Sequence, residues 1–216
     1  MYFYDRAEAG SRLAESLRAS YSHVPASVLA VSPGGVVVGR EIASVLGVRM
    51  SLLLTEPVDL PGVGNTESIG LIDQDGHFTY NRMLPTGLVT EMMTDLRSYF
   101  ENEKMQKLHK LTRAMNSDGF IDPDMFQQRH VIVVSDGFSS GLAFDAAAHY
   151  LKTVETYSVS AAAPNVSVAA VDRLHILADA VDILDVVDPY LDTDHYFQEA
   201  DIPDIETLKT YMEWGA

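Results

Sequence analysis

The segment "SDGFSSG" (residues 135–141) combines one carboxylate with small and hydroxyl-bearing side chains directly after the apolar run "HVIVV". Small residues let backbone N–H groups approach an anion, and hydroxyl groups add further donors. The residues with these properties are Gly137, Ser139, Ser140 and Gly141. The Asp136 carboxylate is suited to accept hydrogen bonds from sugar hydroxyls or to help hold a metal-bound ligand. The pattern indicates a site for a phosphorylated sugar, and a plain Gly/Ser turn capped by Asp136 fits the spacing equally well.

A second small-residue segment follows another apolar run, "ASVLAV". Its members are Ser32, Pro33, Gly34 and Gly35. Their backbone N–H groups suit a second phosphate group, whereas the segment taken alone is more typical of a plain turn before a helix over 36–47. Two such segments in the same strand–loop–helix context are stronger evidence for a phosphate site than one.

The elements that position these segments alternate between strand and helix. The predicted strands are "ASVLAV", "VRMSLLL", "HVIVV", "YSVSAAAP" and "AVDILDVV". Helical spacing predicts helices over 6–19, 36–47, 141–154 and 165–179, the last opened by Asn165. Strands that alternate with helices form a parallel sheet covered on both faces, and ligands bind beyond the carboxyl ends of its strands. The segment 135–141 occupies such a position.

The region 55–85 interrupts this alternation. It is rich in Gly, Pro, Asp and Asn, and its short alternating pieces predict a small antiparallel excursion, or hood. Residues 87–115 have helical spacing for one long helix or two, and the acidic tail 188–216 ends in a predicted short helix. We therefore expect a single domain over 1–216, with a hood built from 55–85 and the tail.

Composition narrows the function classes. The 216 residues include 15 Lys and Arg against 31 Asp and Glu, a net charge of −16, which disfavours nucleic acid and anionic membranes as partners. The absence of cysteine excludes disulfides and thiolate catalysis and fits a cytoplasmic location. The seven histidines have no metal-ligand spacing, so we predict no metal site built from protein side chains.

Several segments together resemble the type I phosphoribosyltransferases, in particular a branch that opens with Phe-x-Asp-Arg-x-x-Ala-Gly. The opening "FYDRAEAGSRLAESL" resembles that motif, "AVSPGGVVVGREIASVLGV" the pyrophosphate loop with its helix, and "TESIGLIDQDGHFTYN" the hood. "VIVVSDGFSSGLAFDAA" resembles the loop that binds phosphoribosyl pyrophosphate, and "AAAPNVSVAAVDRLHILAD" and "DHYFQEADIPD" resemble the closing segments. The resemblance runs nearly end to end.

The resemblance implies a role for each segment. Asp136 would contact the ribose hydroxyls as the catalytic residue, and Ser32, Pro33, Gly34 and Gly35 would face the pyrophosphate. The residues that would cradle the 5′-phosphate are Gly137, Phe138, Ser139, Ser140 and Gly141. Magnesium would arrive with the substrate, and a homodimer is a possible assembly.

Four departures from the family pattern reduce the charge and the donors of this implied site. Ser135 replaces the first residue of an acidic pair, Ser32-Pro33 stands where Pro-Arg is usual, and Thr55-Glu56 occupies a region that often holds a Lys. Phe144 stands where the phosphate loop usually ends in a hydroxyl residue. The candidates for a substitute cation are Arg40, Arg49 and Arg82.

The resemblance implies transfer of phosphoribose from phosphoribosyl pyrophosphate to a nitrogen base or related acceptor, with release of pyrophosphate. Because pyrophosphate leaves as an anion, loss of two cations predicts impaired turnover. The alternative is a non-catalytic regulatory module that binds a nucleotide or phosphosugar. The expected fold is the type I phosphoribosyltransferase fold: an α/β parallel sheet with helices on both faces plus a small hood.

Overall fold

The computed structural model describes residues 1–59, 68–115, 121–199 and 202–213. The helices are α1 (Arg6–Tyr21), α2 (Pro33–Leu46), α3 (Thr86–Asp95), α4 (Arg97–Met115), α5 (Leu142–Leu151), α6 (Val168–Leu177) and α7 (Ile205–Glu213). The strands are β1 (Ala26–Ala30), β2 (Met50–Leu52), β3 (Thr55–Val58), β4 (Gly70–Asp73), β5 (Phe78–Tyr80), β6 (His130–Val134), β7 (Ser158–Ser167) and β8 (Ala180–Val187). Two short 3₁₀ turns span Pro123–Phe126 and Asp194–Tyr196.

The chain divides into two compact units. The first comprises Met1–Leu53 and Phe120–Ala216, and the second comprises Leu54–Gly119. The segment 55–85, predicted as a hood, falls in the second unit, and its residues 60–67 lie outside the described residues. The tail 188–216, predicted as part of the hood, falls in the first unit with the parallel sheet. The expectation of a single domain stays a prediction.

The first unit is built on a five-stranded parallel sheet with the order β2-β1-β6-β7-β8. On one face, Gly39 of α2 lies against Val28 and Val134. On the other face, Leu29, Val131, Val133, Ala161 and Ala163 pack with Phe144 and Leu151 of α5 and Leu174 of α6. The predicted α/β fold, with helices on both faces of a parallel sheet and a small additional sheet, is confirmed.

Pairing of β1 with β6 places the two small-residue segments together. Ala26 pairs with His130 and Ala30 with Val134, so both strands end at the same level. One residue later, the Val31 N–H donates to the Val134 carbonyl at 3.0 Å. Because parallel strands point the same way, the segments 32–35 and 135–141 emerge side by side at the carboxyl edge of the sheet.

Two helix starts differ from the sequence prediction. The predicted Gly-Gly turn is wrong, because α2 already begins at Pro33: Ser32 caps it, and proline suits a first helical position. The prediction that Asn165 opens a helix is also wrong, because β7 continues to Ser167 in register with β8. Ser167 is the cap of α6, and its Oγ accepts from the Ala170 N–H at 3.0 Å.

The N-terminal arm and the tail pair with each other within the first unit. The Phe3 N–H donates to the Tyr196 carbonyl at 2.9 Å, and the Gln198 N–H donates to the Phe3 carbonyl at 3.1 Å. Residues on either side of this contact therefore reach the same end of the sheet as the candidate loops. The predicted short helix of the tail is α7.

The second unit contains the three-stranded antiparallel sheet β3-β4-β5 and the helices α3 and α4. Gly76, with φ of 85°, allows the turn between β4 and β5. Phe78 of β5 packs edge-on against Phe100 of α4, with ring centroids 5.2 Å apart. Of the two alternatives for residues 87–115, the structure has two helices. In the ranges described, no helix is both long and apolar enough to span a bilayer.

Candidate functional site

Asp136 is the second residue after β6, and both of its carboxylate oxygens have protein partners. Arg6 Nε donates to Oδ2 at 2.9 Å, and Ser32 Oγ donates to Oδ1 at 2.7 Å. The residue is only 6% exposed. In this state Asp136 joins α1, the start of α2 and the end of β6, and its predicted contact with ribose hydroxyls stays a prediction.

Arg6 is the functional candidate that the sequence prediction missed. Its side chain is fully buried, forms ion pairs with Asp136 and Asp194, and places its guanidinium 4.5 Å from the ring centre of Phe197. Burial alone would lower the pKa of Arg6, but the charge of Asp136 and the hydrogen bonds to both carboxylates raise it above its ordinary value. Among the described residues Nη1 has no hydrogen-bond partner.

The signal for Arg6 was present in the opening motif. Asp5 caps α1 by accepting the Glu8 N–H at 2.7 Å, which starts the helix so that Arg6 is its first residue. The neighbouring Phe3 anchors the arm to the tail through its backbone. The motif "FYDR" therefore encodes an arm that delivers one cation to the carboxyl edge of the sheet.

The predicted pyrophosphate loop is the start of α2, and the Ser32 side chain caps it. We call a helix start with such a side-chain cap closed. Ser32 Oγ accepts the Gly35 N–H at 2.9 Å while donating to Asp136, and Pro33 has no N–H to offer. A β-carbon on Gly34 would lie 1.9 Å from Asp136 Oδ2 and 2.6 Å from Arg6 Nε. Glycine is therefore required at 34 by the close approach of α2 to the ion pair. The pyrophosphate role of Ser32 to Gly35 stays a prediction.

The start of α5, in contrast to that of α2, has no side-chain cap, and we call it open. Gly141, in the left-handed region with φ of 73°, is the cap residue, and no side chain caps this helix. Within the described part of the chain, the backbone N–H groups of Ser139, Ser140 and Gly141 donate no hydrogen bond to protein. Ser139 is exposed. Three adjacent donors at a helix N-terminus suit an anion.

The first two residues of the predicted cradle have other roles. The Gly137 N–H donates to Ser135 Oγ at 3.3 Å, and the Phe138 N–H donates to the Asn165 carbonyl at 3.1 Å. The Phe138 ring is buried against Phe144, with centroids 6.3 Å apart, which gives Phe144 a packing role in place of a hydroxyl. The open part of the cradle is therefore residues 139–141.

Ser135 and Tyr190 hold the Gly137 end of the loop. Ser135 Oγ donates to the Gly137 carbonyl at 2.8 Å. A β-carbon on Gly137 would lie 2.2 Å from Tyr190 Oη, which is itself 3.0 Å from Thr193 Oγ1. Burial raises the pKa of Tyr190 to about 12. The tail thus covers Gly137 with an uncharged phenol.

Two of the three arginines considered as substitute cations, Arg40 and Arg49, have other places in the first unit. Arg40 stacks on the Tyr211 ring at 4.4 Å. The Arg49 carbonyl accepts the Val28 N–H immediately before β2, at the amino end of the sheet. Arg82 belongs to the second unit. Glu56, in the region where the family often has a Lys, pairs with Lys110 at 2.7 Å within that unit.

No cluster of three His, Asp or Glu side chains able to hold a metal ion occurs among the residues that the structure describes. Two acidic residues at the carboxyl edge of the sheet, Asp136 and Asp194, are both engaged by Arg6.

Comparison with known proteins gives the fold more clearly than the activity. No family model matches the sequence. The chain is similar over its full length to the crystal structure of TT1426 from Thermus thermophilus, with 26% identity, a TM-score of 0.76 and 100% of both chains covered. A hypothetical protein from Neisseria gonorrhoeae with bound ppGpp has a TM-score of 0.52 at 12% identity, covering 100% of this chain and 97% of its own.

A purine phosphoribosyltransferase from Pyrococcus horikoshii is more distant. Its TM-score is 0.47 at 11% identity, with 91% of this chain and 90% of its own covered. At that score nothing is inferred from the likeness. The sheet topology and the likeness to the Thermus thermophilus and Neisseria gonorrhoeae structures support the predicted fold class.

Proposed function

We propose that this protein is phosphoribosyltransferase-like and binds the 5′-phosphate of a phosphoribosyl compound at residues 139–141. The observation that carries the proposal is the uncapped start of α5, where three adjacent N–H groups lack protein partners among the described residues. The resemblance of "VIVVSDGFSSGLAFDAA" to a phosphoribosyl pyrophosphate loop is the independent support. The ppGpp in the Neisseria gonorrhoeae neighbour is a phosphorylated nucleotide bound by a protein of similar fold.

In the catalytic form of the proposal, the acceptor nitrogen forms a bond to the anomeric carbon as the bond from that carbon to pyrophosphate breaks. The acceptor loses its proton to solvent, and magnesium is part of the substrate, bound to its pyrophosphate. The 139–141 backbone would hold the 5′-phosphate during this exchange. Asp136 would have to exchange its bonds to Arg6 and Ser32 for bonds to the ribose hydroxyls.

A non-catalytic nucleotide-binding or phosphosugar-binding module is the second candidate, and one observation favours it. The only arginine or lysine side chain that contacts Asp136 in the described residues is Arg6, and Asp136 and Asp194 already neutralise it. Arg6 would therefore not offer an unpaired positive charge to a departing pyrophosphate. Since stabilisation of developing charge is usually the largest catalytic term, turnover would be slow even where binding is measurable.

Calorimetry with phosphoribosyl pyrophosphate and magnesium, followed by a pyrophosphate-release assay, separates these forms. Binding with release supports the transferase, and binding without release for purine and pyrimidine bases supports the module. Absence of binding for both phosphoribosyl pyrophosphate and nucleoside 5′-monophosphates would contradict the proposal in either form.

A further inference from the structure

A cavity of about 880 Å³ lies entirely within the second unit, between the end of β5 and the helix α3. Its walls include Tyr80, Arg82, Leu84, Val89, Met93 and Arg97. Clefts of about 300–1,000 Å³ are the usual size for small-molecule sites, which combine an apolar lining with a few polar groups. None of these lining residues belongs to the first unit, which contains Asp136 and residues 139–141.

The lysines and the arginines of the second unit differ in their ion pairing. Its lysines are all paired with glutamates: Lys104 with Glu101, Lys107 with Glu103 and Lys110 with Glu56. Arg82 and Arg97 form no ion pair with any described residue, and both line the cavity. Two arginines without a described ion-pair partner thus line one space in a chain with a net charge of −16. Unpaired guanidinium groups recognise carboxylates, sulfonates and phosphates through paired N–H donors.

Three other polar side chains of the cavity, those of Asn81, Thr90 and Thr94, already form hydrogen bonds within the fold. Asn81 Nδ2 donates to the Ser68 carbonyl at 3.0 Å, and its Oδ1 accepts the Met83 N–H at 3.0 Å. Thr90 Oγ1 donates to the Thr86 carbonyl at 2.9 Å, and Thr94 Oγ1 repeats this contact with the Thr90 carbonyl at 2.8 Å. The groups left to select a ligand are therefore the two guanidiniums, the Thr86 hydroxyl, the Tyr80 ring and the aliphatic wall.

We propose that this cavity binds a small organic anion, with its acidic group held by Arg82 and Arg97 and its aromatic or aliphatic body against Leu84, Val89 and Met93. The half-exposed Tyr80 ring, 48% accessible, offers a face for a planar ligand. The site does not depend on the phosphate cradle, so its existence does not rest on the function proposed above.

Anilinonaphthalene sulfonate is a suitable probe, because it carries one anionic group on an aromatic body, and its fluorescence reports binding. In the full chain we expect Arg82→Gln and Arg97→Gln each to weaken its binding about tenfold, the loss expected for a charge-assisted hydrogen bond. Arg113→Gln is the matched control, since this arginine of α4 does not line the cavity. The neutral analogue phenylnaphthylamine should bind both variants as it binds the unmodified chain.

Amide chemical shifts then locate the probe. The proposal predicts shifts concentrated in residues 80–97, and an unchanged affinity in a Ser140→Asp variant of the phosphate cradle. The proposal is overturned by equal probe affinity in an Arg82→Gln/Arg97→Gln double variant, by an equal loss for the neutral analogue, or by shifts confined to the first unit. Failure of phosphoribosyl compounds to bind residues 139–141 would leave these outcomes unaffected.

Discussion

The helices that follow β1 and β6 begin side by side at the carboxyl edge of the sheet, but their first turns are satisfied in different ways. At the end of β1, Ser32 caps α2, and Gly34 packs against Asp136. At the end of β6, Gly141 precedes α5 without a side-chain cap. The same strand–loop–helix pattern therefore yields one closed start, used by the fold, and one open start, available to an anion.

The difference teaches that small residues alone do not identify an anion site. In the closed start, glycine is needed because a buried ion pair occupies the space of a β-carbon. In the open start, glycine is needed because the backbone enters the left-handed region, where other residues are strained. The reason for which glycine is required at a helix start therefore depends on whether that helix has a capping side chain and a charged neighbour.

Replacing Arg6 should have the largest effect, because it removes the cation from the closed start. Arg6→Met leaves the buried Asp136 carboxylate without its ion-pair partner, and breaking a buried pair from one side costs about 3–5 kcal/mol. Urea denaturation measures the loss. Arg18→Met is the control on the same helix, since its 3.8 Å contact with Glu15 is exposed, and it should change stability by less than about 1 kcal/mol. Equal losses in the two variants would contradict the role of Arg6.

Adding one methyl group to Gly34 should have the next largest effect. Gly34→Ala forces a β-carbon into the space of Asp136 Oδ2, and overpacking of this kind costs about 1–3 kcal/mol. Gly87→Ala is the matched control, because its added carbon would have no described atom within 4 Å outside its chain neighbours and its own helix. Urea denaturation should show a loss for the first variant and none for the second. A neutral Gly34→Ala would mean that α2 does not approach the ion pair so closely.

Converting the open start into a charged one should affect binding rather than stability. Ser140→Asp places a carboxylate beside the free N–H groups, which repels phosphate and complements the dipole of α5. We expect affinity for ribose 5-phosphate to fall at least about tenfold, with no loss of stability. Ser140→Asn, of similar size and neutral, should bind within about threefold of the unmodified chain. Equal binding by the Asp and Asn variants would place the anion elsewhere.

Replacing Tyr190 should have a smaller effect on the free energy of unfolding, and this effect should appear only at alkaline pH. Its pKa is raised from 10.0 to about 12 in the folded state, chiefly by burial, so its contribution to stability is complete below pH 10 and is lost as pH rises toward 12. Tyr190→Phe should flatten this part of the alkaline decline in the free energy of unfolding. The exposed Tyr4→Phe variant is the control and should keep the decline. An unchanged decline in Tyr190→Phe would show that the phenol ionises freely.

The sequence was sufficient to predict those strands and helices that are marked by a pattern within a few consecutive residues. The runs "HVIVV" and "AVDILDVV" match β6 and β8 residue for residue, because each is rich in the β-branched residues Val and Ile, which favour strands. The start of α2 was recoverable as well, since serine before proline is a helix-start signal. It was overlooked because the following two glycines are also typical of a turn.

The Arg6–Asp136 pair was not predictable from local pattern, because the two residues are 130 positions apart in the sequence. The segment "SDGFSSG" indicates an anion site in general terms, but which N–H groups remain free depends on Asn165 of β7 and on Ser135 within the loop. The sequence therefore located the candidate site, while the pairing of β6 with β7 and of the arm with the tail decided its open part.

Backbone amide shifts during titration with ribose 5-phosphate test the central claim, that the end of β6 is open and the end of β1 is closed. We predict that the amide protons of Ser139, Ser140 and Gly141 move furthest, as hydrogen bonds to the phosphate form, while those of Gly34 and Gly35 stay in place. Movement of Gly34 and Gly35 with Ser139 to Gly141 unperturbed, or no movement at saturating ligand, would contradict the account.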